Sequence, residues 1–138
     1  MKTVFKNQTF LYLLIGFISI LILWNLYGGI INENVWAIVP IAIEIVLLLF
    51  IFNRYEYARL MIILWAVIAF IAAPASGLLA TLLDIGNNFI DKETGVIGVY
   101  GVILNIVQLI IGILILDYTR RTVKVEFPES GSNNINHI

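Results

Sequence analysis

Glu44 is the one ionisable side chain inside a long apolar segment, Val35–Phe52, and it is the natural centre for any chemistry in this chain. A carboxylate at bilayer depth costs several kcal/mol unless it is neutralised, paired or wetted. Other segments must therefore supply partners or water. Asn105 and Gln108 in a fourth apolar run, Ser76 in a third and Ser19 in the first are the candidates. Two readings of this polar centre stand side by side. Glu44 can be held neutral and donate a hydrogen bond to Asn105 or a backbone carbonyl, with the amides acting as helix–helix glue worth about 0.6–2 kcal/mol each. Alternatively, it is a proton, ion or substrate site, the default suspicion for an intramembrane charge.

Other chemistries lack their parts. Ala75-Ser76-Gly77 suggests a serine nucleophile, but the one histidine, His137, lies in the tail, so no base accompanies it. The same gap argues against bis-histidine haem and zinc-protease motifs. Cysteine is absent, which removes disulfides, thiolate metal sites and redox motifs. The segment Asp84 to Asp91 carries oxygen ligands, but its spacing fails the EF-hand pattern. No glycine motif for nucleotide phosphates occurs, and a net charge of −1 gives no case for nucleic acid. We therefore expect no catalytic set, no metal and no cofactor.

The elements that must position these residues are membrane spans. Of 138 residues, 61% are hydrophobic and 12% charged, against about 45–50% and 25% in soluble domains. Lipid is the expected solvent. Four segments qualify: roughly 9–31, 35–52, 60–83 and 96–116, each near the ~20 residues that cross about 30 Å of hydrocarbon. The first, after Lys2 and Lys6, is far longer than a signal-peptide core of about 7–15 residues and is read as a retained helix. Barrel strands of alternating polarity are excluded by the continuous apolar runs. Short connections at 32–34, 53–59 and 84–95 make sequential helices antiparallel neighbours. The expected fold is thus an all-α four-helix transmembrane bundle occupying 1–127, with a disordered polar tail at 128–138.

Charge sets the expected orientation. Lys2, Lys6, Arg54, Arg59, Arg120, Arg121 and Lys124 fall on one side and only Lys92 on the other, so both termini are expected in the cytoplasm. Trp24, Tyr27, Trp36, Phe89 and Tyr100 belong to the outer interface, and Phe5, Tyr12, Tyr55, Tyr57 and Tyr118 to the inner one. The run from Thr122 to Phe127 alternates with period two, as a short strand or an interfacial segment would.

Small residues mark the expected packing faces. In the fourth span Gly98, Gly101, Asn105, Gln108 and Gly112 share one face by their spacing of three and four. Ala66, Ala69, Ala73, Ser76 and Ala80 repeat the device in the third, with a weaker version at Thr9, Tyr12, Gly16 and Ser19 in the first. Ala37, Pro40 and Glu44 form one face of the second. Glu44 and Asn105 each lie about nine residues inside, roughly 13 Å below the outer boundary, with Ser76 near that level. Ser19 and Gln108 fall about a turn deeper, so four helices bring polar groups to almost one layer. Pro40 and Pro74 are candidate kinks, with Pro74-Ala75-Ser76-Gly77 the stronger bend.

Tyr57-Ala58-Arg59 opening the third span and the Val-Lys-Val-Glu-Phe ending after the fourth give the chain a family likeness. It resembles small uncharacterised bacterial four-helix integral membrane proteins, a resemblance that implies a location in the bacterial cytoplasmic membrane and no particular activity. Small multidrug transporters are similar in size and in carrying one membrane Glu, but theirs lies in the first helix and here it lies in the second. The leading functional expectation is a non-enzymatic membrane protein acting by helix packing, as an accessory, regulatory or immunity-type partner of other membrane components. Its partners would be the lipid bilayer and a second copy or another membrane protein. The alternative is a small oligomeric channel or transporter with a proton- or cation-linked site at Glu44.

Overall fold

The computed structural model describes residues 2–87 and 95–126. The order is β1 (Lys2–Phe5), α1 (Gln8–Ile31), a 3-10 turn (Val35–Ala37), α2 (Ile38–Phe52), α3 (Ala58–Val67), a π-helical turn (Ile68–Ala72), α4 (Ala73–Asn87), α5 (Gly95–Thr122) and β2 (Val123–Glu126). Four helical stretches are long and apolar enough to cross a membrane: Gln8–Ile31, Val35–Phe52, Ala58–Leu83 and Tyr100–Thr122. Helices are the economical solution there, since each satisfies its own backbone groups without water. The polar tail at 128–138 with His137, the loop residues 88–94 with Phe89 and Lys92, and the surroundings of Gly98 lie outside the described residues.

The chain divides into two compact units, Met1–Arg59 with Thr122–Ile138, and Leu60–Arg121. The first is built on a helical hairpin. Asn7 caps α1 by accepting from the Phe10 N–H at 3.1 Å, replacing one of the orphan donors of a helix start. At the other end Asn32 donates through Nδ2 to the Gly28 carbonyl at 2.9 Å, and the Asn34 N–H bonds the Gly29 carbonyl at 3.0 Å. Glu33 takes a left-handed φ of 49° to close the turn. Asn34 then caps the 3-10 turn by accepting from the Trp36 N–H at 3.1 Å. A Cβ on Gly29 would stand 2.8 Å from the Ala37 Cβ, so the return of the chain at this level requires glycine.

Pro40 is the third residue of α2. Its missing N–H falls in the first turn, where no donor has an intrahelical acceptor, so it costs α2 no internal bond. This position makes it a helix-start residue rather than the expected kink. Beyond it Glu44, Leu47 and Ile51 form the buried face of α2, and Leu14 and Ile18 that of α1.

The termini of this unit pair with each other. β1 and β2 run antiparallel with Lys2 opposite Glu126, Thr3 opposite Val125, Val4 opposite Lys124 and Phe5 opposite Val123. The Lys6 N–H extends the ladder to the Thr122 carbonyl at 2.8 Å. Thr3, Phe5 and Val123 are buried. Thr3 also bolts the strand to the α2–α3 connection. Its N–H bonds the Arg54 carbonyl at 3.0 Å, and its hydroxyl donates to the carbonyls of Tyr55 and Glu56. Of the two readings of the period-two run at 122–127, a short strand or an interfacial segment, Val123–Glu126 forms the strand. Its partner β1 has no comparable mark in the sequence, and Phe5, the last residue of β1, is buried.

In the second unit the π-helical turn decides which side chains face inward. Pro74 cannot donate to the Phe70 carbonyl four residues earlier, and its ring crowds that carbonyl. The helix answers by widening over Ile68–Ala72, a relief typical of π turns. The expected bend is therefore placed just before Pro74 rather than at 74–77. A wider turn advances the face by about one residue. Ala66 is buried as the spacing suggested, but the next inward residues are Phe70 and Pro74. Ala69 is half-buried, while Ala73, Ser76 and Ala80 point outward. Trp65 and Phe70, five residues apart, meet edge to face across the turn at 5.1 Å between centroids.

Candidate polar site

Antiparallel packing of α1 against α2 determines which residue meets Glu44. The turn is centred near residues 34 and 35, so positions whose numbers sum to about 69 lie level. Asn25 is the mate of Glu44 under that rule. The structure pairs them: Asn25 Nδ2 donates to Oε1 and Oε2 of Glu44 at 3.2 Å each. Glu44 is only 4% exposed, so its acceptors depend on this amide. One donor serving both oxygens is a bifurcated arrangement, and it ties the two helices at a level about six residues, or ~9 Å, inside the end of α1.

The expected polar layer is distributed differently. Asn105 is half-buried, and its side chain comes close to Gly77 of its own unit: a Cβ there would stand 2.9 Å from Asn105 Nδ2. Ser19 donates to the Ile15 carbonyl at 2.8 Å and Ser76 to the Ala73 carbonyl at 2.7 Å, so both satisfy themselves on their own helices. Gln108 is exposed on α5. Gly112 alone of the described glycines on that helix makes a close approach: a Cβ would stand 2.7 Å from the Phe70 Cβ and 2.9 Å from the Phe70 oxygen. Gly101 and Gly16 face open space.

A cleft of about 320 Å3 opens beside the pair, at the turn end of α1 and α2. Asn25 contributes to its lining, together with Trp24, Gly28, Asn32, Asn34 and Trp36. Trp24 and Trp36 are 71% and 80% exposed. Asn25 thus has two faces to serve, the carboxylate on one side and the cleft on the other. Among the described residues no group of three His, Cys, Asp or Glu side chains is placed to hold a metal ion. Comparison with protein-family models, with curated proteins and with solved structures finds no match for this chain.

Proposed function

We propose that the chain is a non-enzymatic, multi-pass protein of the bacterial cytoplasmic membrane that acts through helix packing, as an accessory, regulatory or immunity-type partner of other membrane components. Its four spans form a bundle with both termini in the cytoplasm. The distribution of Lys and Arg supports that topology: Lys2, Lys6, Arg54, Arg59, Arg120, Arg121 and Lys124 flank one end of the helices.

The observation that carries the packing role is the Asn25–Glu44 contact, in which the one acidic group of the second span is committed to an interhelical bond. Gln108 adds to it. A primary amide exposed in the middle of an apolar helix has no acceptor or donor in lipid, which favours contact with a second copy or another membrane protein. Replacing Glu44 by Leu should lower thermal stability in detergent or shift oligomer size on a sizing column. An unchanged Glu44→Leu protein argues against the reading.

A second reading, a small channel or transporter with Glu44 as a proton- or cation-linked group, is favoured by the cleft that reaches Asn25. In that case Glu44→Gln keeps the fold and abolishes proton- or cation-dependent flux in proteoliposomes. Normal flux in the variant would sink it.

A further inference from the structure

We propose that the cleft at the turn end of α1 and α2 binds an alkylammonium group, presented by an ethanolamine lipid headgroup or by a free amine, with Glu44 behind Asn25 as its counter-charge. This goes beyond helix packing and requires no transport.

Charge gives the sign of the ligand. Glu33 lies in the turn that borders the cleft, and Glu44 lies behind its Asn25 wall. Among the described residues the unit's cationic side chains are Lys2 in β1, Lys6 just after it, Arg54 after α2, Arg59 at the start of α3 and Lys124 in β2, all away from the turn that joins α1 and α2. Arg54 is ten residues from Glu44, about 15 Å along α2. Among the described residues of its own unit Glu44 therefore has an amide neighbour but no cation at its level, and a buried carboxylate left so gains most from a cationic ligand nearby.

The lining gives the ligand its chemistry. Asn25 and Asn32 spend their Nδ2 groups on Glu44 and on the Gly28 carbonyl. Their Oδ1 oxygens have no partner among the described residues, and they are acceptors without donors. An ammonium supplies up to three N–H donors. Two exposed indoles, Trp24 and Trp36, border the same space, and an indole is the aromatic group that attracts a cation most strongly. Glycine keeps one wall at backbone level: a Cβ on Gly28 would meet nothing within 4 Å. Trp24 and Trp36 also belong at headgroup depth, which is where an ethanolamine group would be presented.

The test uses the full chain with Trp65→Phe, which leaves Trp24 and Trp36 as its indoles, in nanodiscs of phosphatidylglycerol. Ethanolamine hydrochloride is titrated and indole fluorescence followed, with sodium chloride at matched ionic strength as the control. A saturable change specific to the amine is expected. Glu44→Gln should weaken it about tenfold, through loss of a counter-charge that acts from behind Asn25. Gly28→Leu, which fills the cleft and leaves the Asn25–Glu44 pair in place, should abolish it, and circular dichroism checks that both variants fold. Replacing half the lipid by phosphatidylethanolamine then separates the sources: competition with the added amine assigns the headgroup, and an unchanged titration assigns the free amine. No saturable change, an equal response to sodium, or undiminished binding in the folded Gly28→Leu protein would overturn the proposal.

Discussion

Gly112 offers the sharpest quantitative test of how the second unit packs. An alanine there places its Cβ 2.7 Å from the Phe70 Cβ, 2.9 Å from the Phe70 oxygen and 3.1 Å from its carbonyl carbon. Two of these atoms are backbone in the π-helical turn, which cannot swing aside as a side chain can. Overpacking of this kind costs about 1–3 kcal/mol. Alanine also gains helix propensity over glycine, about 0.8–1 kcal/mol, and that gain confuses a single measurement. Gly101 removes the confusion. It lies on the same helix, and a Cβ there would meet nothing within 4 Å. The propensity gain then cancels in the difference between the two variants. Gly112→Ala should be about 1–3 kcal/mol less stable than Gly101→Ala. Reversible unfolding by dodecyl sulfate in maltoside micelles, followed by circular dichroism, reads this difference. Values for the two variants within about 0.5 kcal/mol of each other would refute the close approach.

Two further outcomes follow from the first unit. Gly29→Ala should destabilise the hairpin, because its Cβ would stand 2.8 Å from the Ala37 Cβ. The double variant Gly29→Ala/Ala37→Gly should recover the loss, since it removes the atom that is struck, and thermal unfolding of the three proteins checks it. Thr3→Val deletes the hydroxyl that bonds the Tyr55 and Glu56 carbonyls. At about 1–2 kcal/mol for such bonds, tryptic cleavage after Arg54 should accelerate about five- to thirtyfold, and an unchanged rate would contradict the bolt.

The residues that were legible in the sequence and those that were not differ for physical reasons. Continuous apolar runs announced four spans, because lipid demands them whatever the packing. The fourth helix continues to Thr122 rather than stopping near 116. Asp117 and Arg121, polar enough to suggest an exit, instead bridge one turn at 2.8 Å and carry the helix on. β1 escaped notice because four residues beside two lysines look topogenic, and only its distant partner makes them a strand. The stripe at Ala66, Ala69, Ala73, Ser76 and Ala80 assumed a uniform period of 3.6. One π-helical turn, with Pro74 as its only sequence mark, advanced the face to Phe70, Pro74 and Gly77. Glu44 was legible as a residue in need of company. Asn25 lies level with Glu44 across the short 32–37 turn, whereas Asn105 matches it only in distance from a helix start and belongs to the other unit.

The account rests on Asn25 and Glu44 acting as one interhelical contact, and a double-mutant cycle measures that directly. Asn25→Ala, Glu44→Ala and the double variant would be unfolded in the same micelles, and the non-additive part of their stabilities extracted. A coupling of about 0.6–1.7 kcal/mol is expected for a hydrogen-bonded pair between membrane helices. Losses that add to within about 0.3 kcal/mol would contradict it.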